Sequence, residues 1–274
     1  MASASVTITS DPIANRFVEL AARRRAGLVV YLTAGHPDFA RSLELFHAVA
    51  EAGADVVEAG VPFSDPLADG PVIQASSQRA LEGGMTFDRS LELIARAKLR
   101  QPVVLFTYLN PLLAAGADAL ARASSAGASG VLVTDLPLGA DPDLEERIAG
   151  GPLDFIRLVA PTTPAARMAD IARHGSGFVY LISRTGVTGL RSEMPAELPA
   201  TVARLRSATE LPICVGFGIS TPEHAAVVAR LADGVVVGSA VVRAADSSVA
   251  DAAALVSSLR RAIDEARDAD GRPA

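Results

Sequence analysis

Three carboxylates occur close together in the segment EAGVPFSDPLADGP, residues 58–71, which contains no basic residue. Glu58 belongs to the apolar run DVVEAG, where burial would raise the pKa of its carboxyl group and suit it to acid–base catalysis near neutral pH. Asp65 and Asp69 follow in a loop that three prolines stiffen, so this loop loses little conformational entropy when it orders over a ligand. The segment is therefore a candidate site of proton transfer.

Each of these side chains also has a purely structural interpretation. Glu58 could be a core carboxylate held by hydrogen bonds, and Asp65 could be a turn or cap residue. Asp69 precedes Gly70, and Asp-Gly pairs favour plain turns. Tyr180, in the apolar run GFVYLIS, is either a core aromatic or a residue of the same site. The residue types alone leave these alternatives open.

Glycine-rich segments follow three later apolar runs: TGVTGL at 185–190, GFGIST at 216–221 and VGSA at 237–240. Glycine lets backbone N–H groups approach an anion closely, and such groups bind phosphate where a loop enters a helix. Each segment alone is also consistent with a plain turn. Their repetition favours a phosphorylated small molecule as the ligand.

The elements that must position these residues are eight apolar runs, each bounded by Gly, Pro or Asp. Their near-continuous hydrophobicity is typical of parallel strands buried on both faces. The runs span residues 28–35, 55–60, 102–108, 130–135, 154–161, 177–183, 212–218 and 233–240. Segments with apolar residues at helical spacing lie between them, at residues 37–53, 86–99, 117–127, 165–175 and 221–234.

Strands that alternate with helices in this way predict an α/β fold, a single (β/α)8 TIM barrel. We expect one domain over residues 1–274, with a core at about 16–262 and frayed polar tails, the second from Asp264 onwards. A doubly wound open sheet is the alternative, but TAGHPD after the first run is not a dinucleotide-binding glycine pattern. Barrel sites lie at the carboxyl ends of the strands, and phosphate often binds after the last two.

The residue types argue against two mechanisms that such barrels use. Lys98 is the only lysine and lies near the end of a predicted helix, so a Schiff base is not expected. Of the four histidines, only His36 falls near the carboxyl end of a predicted strand, so no metal site is expected. The remaining chemistry is metal-free acid–base catalysis on a phosphorylated substrate.

Charge and composition limit the partners and the cellular location that we expect. The formal net charge is −6 without a long basic run, so we expect no nucleic-acid partner. No apolar run approaches the roughly 20 residues that span a bilayer, and the N-terminal residues lack the pattern of a signal peptide. We therefore expect a cytoplasmic protein that does not enter a membrane. Cys214, the single cysteine, is expected to be a buried core thiol.

The segment DVVEAGVPFSDPLADGP, residues 55–71, resembles the catalytic signature of the tryptophan synthase alpha chain family. Shorter segments resemble the family at later strand ends, namely YLNP, VTDLP, YLISRTGVTG, GFGIS and VGSA. The resemblance runs from about residue 16 to about residue 262. It implies a TIM-barrel lyase that cleaves indole-3-glycerol phosphate to indole and glyceraldehyde 3-phosphate by a retro-aldol reaction, without a metal or a Schiff base.

The resemblance also implies roles for individual residues. Glu58 would move protons at indole C3 and at the neighbouring hydroxyl, Asp69 would take the indole N–H, and Tyr180 would pack beside the substrate. Thr188 would belong to a lid loop that closes against Asp69. The implied phosphate-binding residues are Gly189, Gly218, Gly238 and Ser239.

A partner chain is implied as well. The family's beta chain carries pyridoxal phosphate and joins the indole to serine, so this chain is expected to hold no cofactor itself. An alpha-beta-beta-alpha complex in L-tryptophan biosynthesis follows, with Asp65, Pro66 and Asn110 facing the partner. Two departures bear on that coupling: His36 stands where many relatives have Asp, and Ala115 is smaller than the residue often found there.

Three alternatives accompany this interpretation. The first is a stand-alone lyase that releases free indole for specialised metabolism. The second is a non-catalytic activator of the beta chain, against which the presence of Glu58, Asp69 and Tyr180 argues. The third is another phosphate-binding barrel enzyme, such as a ribulose-phosphate isomerase or epimerase, against which the segment PFSDPLADGP argues.

Overall fold

A parallel β-sheet that curls into a barrel forms the centre of the molecule, and the predicted (β/α)8 barrel is confirmed. The structure is a computed structural model and describes residues 11–183, 195–216 and 218–269. Its strands are β1 (Gly27–Thr33), β2 (Val56–Gly60), β3 (Val103–Thr107), β4 (Gly130–Val133), β5 (Asp154–Phe155), β6 (Arg157–Val159), β7 (Val179–Ile182), β8 (Ile213–Gly216) and β9 (Gly234–Val237). Their order in the sheet is β5-β4-β3-β2-β1-β9-β8-β7-β6.

The fifth predicted strand, 154–161, is the one that the structure divides. Asp154 and Phe155 pair with β4, whereas Arg157–Val159 pair with β7. Between them, the Ile156 N–H still donates to the Val131 carbonyl at 2.9 Å. The prediction of one continuous strand was wrong because this stretch must change neighbours where the two edges of the sheet meet. The barrel is thereby nearly closed.

Helices cover the outside of the barrel and one of its ends. All five predicted helical segments are helices in the structure, and further helices occupy stretches for which no helix was predicted. Within the described residues the helices are α1 (Pro12–Ala22), α2 (Phe39–Glu51), α3 (Pro71–Glu82), α4 (Phe87–Ala97), α5 (Leu109–Ala114), α6 (Ala119–Ala126), α7 (Pro142–Ala149), α8 (Ala165–Arg173), α9 (Leu198–Arg206), α10 (Pro222–Leu231), α11 (Ser239–Ser247) and α12 (Val249–Ala269).

Side-chain caps fix several helix starts. The Asp38 carboxylate accepts from the Arg41 N–H at the start of α2, and the Thr86 hydroxyl accepts from the Arg89 N–H at the start of α4. These bonds satisfy backbone donors that the first turn leaves without partners. Lys98 ends α4 in the left-handed conformation, with φ 46°. The lysine is thus at a helix end, as predicted, and not at a strand end.

The interior of the barrel is closed at its amino-terminal end by α1. Phe17 of α1 packs against Phe178, with ring centroids 5.9 Å apart, and belongs to the same apolar cluster as the inward-facing residues of the strands. Cys214 lies in this cluster with no exposed surface, as predicted for a core thiol. Because α1 fills this end, the opposite end of the barrel, where the strands finish, is left for a ligand.

An ionic network joins both ends of the described chain to the barrel. Asp55, 1% exposed, accepts hydrogen bonds from the Leu28 N–H at 2.8 Å, from Arg16 at 2.6 Å and from Arg260 at 2.8 Å. Arg260 also donates to Asp264 at 2.6 Å. Helix α12 continues to Ala269, and Asp264, where the polar tail begins, is paired with Arg260.

Candidate active site

A pocket opens at the carboxyl ends of the strands. Strand residues form its floor and walls, and three loop or helix segments form its rim. The pocket brings together six residues that sequence analysis assigned to the site: Glu58, Asp69, Tyr180, Gly218, Gly238 and Ser239. Thr188 and Gly189, assigned to the lid and to phosphate binding, lie outside the described residues.

Glu58 lies in the middle of β2, with Tyr31 of β1 and Val104 of β3 as its strand partners. Its side chain is fully buried, and within the described part of the chain neither carboxyl oxygen has a hydrogen-bond partner. Burial alone raises the pKa of this carboxyl to about 8, so Glu58 is mostly protonated at neutral pH. Glu58 is therefore not a core carboxylate held by hydrogen bonds, which was the structural alternative. A buried polar group without partners is costly to the fold.

Asp69 lies at the end of the proline-rich loop, directly before α3. The Tyr108 hydroxyl donates to its Oδ2 at 3.0 Å and accepts from the Ala68 N–H at 3.1 Å. Gln74 donates to the Asp69 carbonyl at 2.8 Å, which fixes the backbone of the turn. Burial raises the pKa of the Asp69 carboxyl to about 6, and the hydrogen bond from Tyr108 limits that rise. Asp69 is therefore mostly ionised at neutral pH, when Glu58 is mostly protonated.

Tyr108 is a site residue that sequence reasoning did not assign. It directly follows β3, and its ring packs on Phe63 with centroids 5.2 Å apart. A usable signal was present, since the chain has three tyrosines and all of them lie in strands or at strand ends. Tyr31 and Tyr180 line the pocket directly, and Tyr108 holds Asp69.

Tyr31 and Tyr180 need glycine on the neighbouring strand. A Cβ atom at Gly60 of β2 would lie 2.1 Å from the Tyr31 hydroxyl, and one at Gly216 of β8 would lie 2.3 Å from the Tyr180 hydroxyl. Contacts this short do not occur, so only glycine admits the two rings. Tyr31 packs edge-on against Phe106, with centroids 5.2 Å apart and planes at 80°. The pocket thus has aromatic walls around Glu58.

The rim opposite Asp69 is built from glycine and the start of a helix. Gly218 has φ +84°, which disfavours any residue with a Cβ, and Gly238 is the N-cap of α11. A Cβ at Gly238 would approach Tyr31 to 3.3 Å. The first N–H groups of a helix lack intrahelical acceptors, so Ser239 at the start of α11 lies where an anion is stabilised. Arg243 of α11 also lines the pocket, and sequence analysis did not single it out.

The residues predicted to face a partner lie outside the pocket. Asp65 and Asn110 are exposed and Pro66 is half-buried. Leu67, next to them in the proline-rich loop, is 87% exposed, and Leu113 of α5 is 53% exposed. Leu67 follows β2 and Leu113 follows β3, so both lie near the carboxyl ends of neighbouring strands.

The two sequence departures have different surroundings. His36 is 5% exposed, and its Nε2 lies 2.9 Å from Asp246 Oδ1. The imidazole therefore joins the loop after β1 to α11 rather than pointing into solvent. Burial lowers the pKa of His36, with Asp246 acting in the opposite direction. Ala115 is half-buried at the end of α5.

Two further findings concern the described residues as a set. Within them, no group of three or more His, Cys, Asp or Glu side chains is arranged to hold a metal ion. Among the helices that the structure describes, none has the length and apolar character to cross a membrane.

Comparison with known proteins gives consistent matches. A family model described as tryptophan synthase alpha chain matches residues 17–269. The tryptophan synthase alpha chain of Desulfatibacillum aliphaticivorans is 51% identical over 235 residues, which are 83% of this chain and 87% of the relative. That of Geobacter sulfurreducens is 47% identical over 259 residues, 92% of this chain and 98% of the relative.

Solved structures match over a similar extent. A chain of Mycobacterium tuberculosis tryptophan synthase superposes with a TM-score of 0.86 at 35% identity, covering 93% of this chain and 99% of that one. Tryptophan synthase subunit alpha of Legionella pneumophila superposes with a TM-score of 0.85 at 36% identity, covering 94% and 100%.

The parallel barrel defines a class, that of (β/α)8-barrel proteins, and its pocket of two buried carboxyl groups and aromatic walls lies at the carboxyl ends of the strands, where barrel enzymes have their active sites. The family model and the curated relatives then identify the family within this class. The chain belongs to the tryptophan synthase alpha chain family.

Proposed function

We propose that this chain cleaves indole-3-glycerol phosphate to indole and glyceraldehyde 3-phosphate, as the alpha subunit of tryptophan synthase. The family supports a carbon–carbon lyase of tryptophan biosynthesis. One observation carries the assignment of the reaction to this pocket. Glu58, buried and without a hydrogen-bond partner among the described residues, shares one pocket with Asp69.

Glu58 and Asp69 divide the proton transfers. Protonated Glu58 donates its proton to indole C3, which turns the ring into a leaving group, and the resulting carboxylate takes the proton of the hydroxyl next to the ring. The bond between C3 and the carbinol carbon then breaks, its electron pair returns to the indole ring, and the carbinol carbon becomes the aldehyde of glyceraldehyde 3-phosphate. Asp69 as a carboxylate accepts a hydrogen bond from the indole N–H and stabilises the positive charge that protonation at C3 creates.

The remaining residues of the pocket bind and orient the substrate. The aromatic walls formed by Tyr31, Phe106 and Tyr180 suit a flat apolar ring. Gly218, Gly238 and Ser239 offer backbone N–H groups to the phosphate. Gly189 and Thr188, assigned to the same site and its lid from the family resemblance, belong to this proposal as well.

The proposed reaction needs neither a Schiff base nor a metal. Lys98 is exposed at the end of α4 and is not among the residues of the pocket. The pocket therefore offers no lysine amine that could form an imine with the substrate. The proton transfers are supplied by carboxyl groups whose pKa values burial has raised to about 8 and about 6.

We place the protein in the cytoplasm, in an alpha-beta-beta-alpha complex. The beta chain, which holds the pyridoxal phosphate, docks on the face that carries Asp65, Pro66 and Asn110. The exposure of Asp65 and Asn110 and the neighbouring exposed side chain of Leu67 support this face as the contact surface.

Indole release from indole-3-glycerol phosphate tests the proposal, measured for the purified chain with and without a tryptophan synthase beta chain. We expect slow release alone and a large increase with the partner. Fast release that is indifferent to the partner would instead identify a stand-alone lyase, with His36 and Ala115 as its distinguishing residues. No release in either condition would contradict the assignment.

A further inference from the structure

Arg243 brings a positive charge to a pocket whose other charged groups are acidic. Among the described residues that line the pocket it is the one basic side chain, and Glu58 and Asp69 are the acidic ones. Within the described part of the chain, Arg243 forms no ion pair or hydrogen bond. Arg157, by contrast, is buried and paired with Glu145 at 2.7 Å.

Arg243 lies on α11, whose first residues are proposed to bind the phosphate. It follows Ser239 by one helical turn, so the two residues share a face of α11. Gly238 and Ser239 line the pocket together with Arg243. Arg243 is exposed, and long side chains on a helix lean towards its amino-terminal end, so the guanidinium can reach the start of α11, where a phosphate would bind.

The charge balance of the pocket explains why a cation is needed. A phosphate monoester carries a charge of about −1.5 to −2 at neutral pH. Asp69 adds a carboxylate to the same pocket at that pH, because its pKa is about 6. Backbone N–H groups contribute only partial charges, so they oppose this repulsion less than a full positive charge does.

We propose that the Arg243 guanidinium binds the phosphate group of the substrate and sets the affinity of the pocket for phosphorylated over unphosphorylated ligands. This inference rests on the proposed function, since it assumes that the rim at Ser239 receives a phosphate. The planar fork of donors on arginine matches phosphate oxygens, whereas lysine offers a point charge. Arg243 is thus a binding residue, and the proton transfers at the indole do not involve it.

The test compares Arg243→Ala and Arg243→Lys with the unmodified chain in indole-release kinetics. We expect Arg243→Ala to raise KM for indole-3-glycerol phosphate by about tenfold or more, as for the loss of a charged hydrogen bond, with kcat within about twofold. Arg243→Lys should give an intermediate KM. An unchanged KM in Arg243→Ala, or a fall in kcat without a change in KM, would overturn the inference.

Arg261→Ala provides the matched control. Arg261 is exposed on α12 and does not line the pocket, so its removal changes the net charge by the same amount. We expect its KM to equal that of the unmodified chain. If Arg261→Ala raised KM as much as Arg243→Ala, the effect would be a general one of net charge, and a specific role for Arg243 would be refuted.

Inorganic phosphate supplies a readout that does not depend on turnover. Binding to the folded state raises the thermal midpoint, and we expect phosphate to raise it at about tenfold lower concentration for the unmodified chain than for Arg243→Ala. If the unmodified chain binds phosphate in this manner but releases no indole, the proposed function fails and the role of Arg243 stands. If indole is released and both proteins respond equally to phosphate, the role of Arg243 fails alone.

Discussion

Glu58 and Asp69 titrate in different ranges because their side chains have different neighbours. Glu58 has only burial acting on it, which raises the pKa of its carboxyl to about 8. Asp69 is also buried, but the hydroxyl of Tyr108 stabilises its ionised form and limits the pKa to about 6. One residue is therefore an acid and the other a carboxylate at the same pH, and this is what the proposed reaction requires.

The first prediction concerns the pH dependence of kcat/KM, which reports on groups in the free enzyme. Activity should rise as pH rises through about 6, where Asp69 ionises, and fall as pH rises through about 8, where Glu58 loses its proton. Tyr108→Phe removes the hydrogen bond that favours ionised Asp69, so the acidic limb should move to higher pH. Tyr31→Phe, whose hydroxyl does not bond to Asp69, serves as the comparison. An acidic limb that stays in place in Tyr108→Phe would contradict the assignment.

The second prediction concerns Glu58→Gln, which should lower kcat by about 10²-fold or more because it removes the proton donor. The same change alters stability. The pKa of Glu58 in the folded state is about 8, above the ordinary value of 4.5 for this carboxyl. The protonated side chain therefore contributes its full stabilisation below pH 4.5, and this stabilisation is lost as pH rises to about 8. The free energy of unfolding of Glu58→Gln relative to the unmodified chain should thus increase by about 3 kcal/mol between about pH 5 and about pH 8.

Urea denaturation of both proteins at the two pH values measures this difference. The buried amide of the variant has the same cost at both values, so the change with pH isolates the carboxyl. A difference in unfolding free energy that does not vary with pH would show that Glu58 is not held protonated in the folded state.

At the scale of elements, the strands place aromatic rings beside the carboxyl of Glu58. Strands β1 and β7 contribute Tyr31 and Tyr180. The neighbouring strands have glycine, Gly60 and Gly216, at the positions that face the two hydroxyls. The alternation of side chains along a strand decides which residues point inwards. The rings are thus placed by the register of two strand pairs, β1 with β2 and β7 with β8, and no single segment contains the pocket.

The third prediction tests this register with Gly216→Ala, whose Cβ would lie 2.3 Å from the Tyr180 hydroxyl and 2.7 Å from Cζ. The ring must move into the pocket, so we expect a destabilisation of about 1–3 kcal/mol and a raised KM. Combining it with Tyr180→Phe removes the nearest atom and should recover part of the stability. Gly83→Ala, which has only a 3.3 Å contact and an ordinary backbone conformation, is the control and should change neither quantity appreciably. Equal effects of both single variants would argue against the ring contact.

At the scale of the whole molecule, Asp55 joins elements from the two ends of the described chain at the amino-terminal end of the barrel. Its carboxylate bonds to Arg16 of α1, to Arg260 of α12 and to the backbone of β1. The two arginines share this buried carboxylate, and Glu19 and Asp264 supply further negative charge. The pocket lies at the opposite end of the barrel. This network therefore stabilises the barrel at the end away from the pocket.

The fourth prediction is that Asp55→Asn lowers the free energy of unfolding by about 1.5–3 kcal/mol, since it removes the buried charge that pairs with Arg16 and Arg260, while Asp264 remains as a partner of Arg260. Well below its thermal midpoint, the variant should keep a KM close to that of the unmodified chain. Glu92→Gln, which breaks the exposed pair with Arg96, should cost less than about 1 kcal/mol. Thermal and urea denaturation of the two variants check the contrast, and similar losses would refute a special role for the buried network.

Much of this arrangement follows from local sequence patterns. Continuous apolar runs identify the strands because charged groups are costly in strands buried on both faces, and Glu58 stands out for the same reason as a carboxylate with apolar neighbours on both sides within DVVEAG. The fold class and six of the proposed site residues were predicted in this way or from the resemblance. The division of the fifth strand at Ile156 was missed because pairing with two different neighbours leaves no trace in a single apolar run.

The sequence by itself determined which segments form strands, which strand ends are rich in glycine, and which carboxyl lies in an apolar run, since these depend on residues close together in the chain. Only the tertiary structure decided that Tyr108 bonds to Asp69, that Arg243 lines the pocket and that Asp55 joins α1 to α12. These contacts join residues far apart in sequence. They depend on how the strands are registered and how the helices pack around the closed barrel, and no local pattern of residue types encodes that geometry.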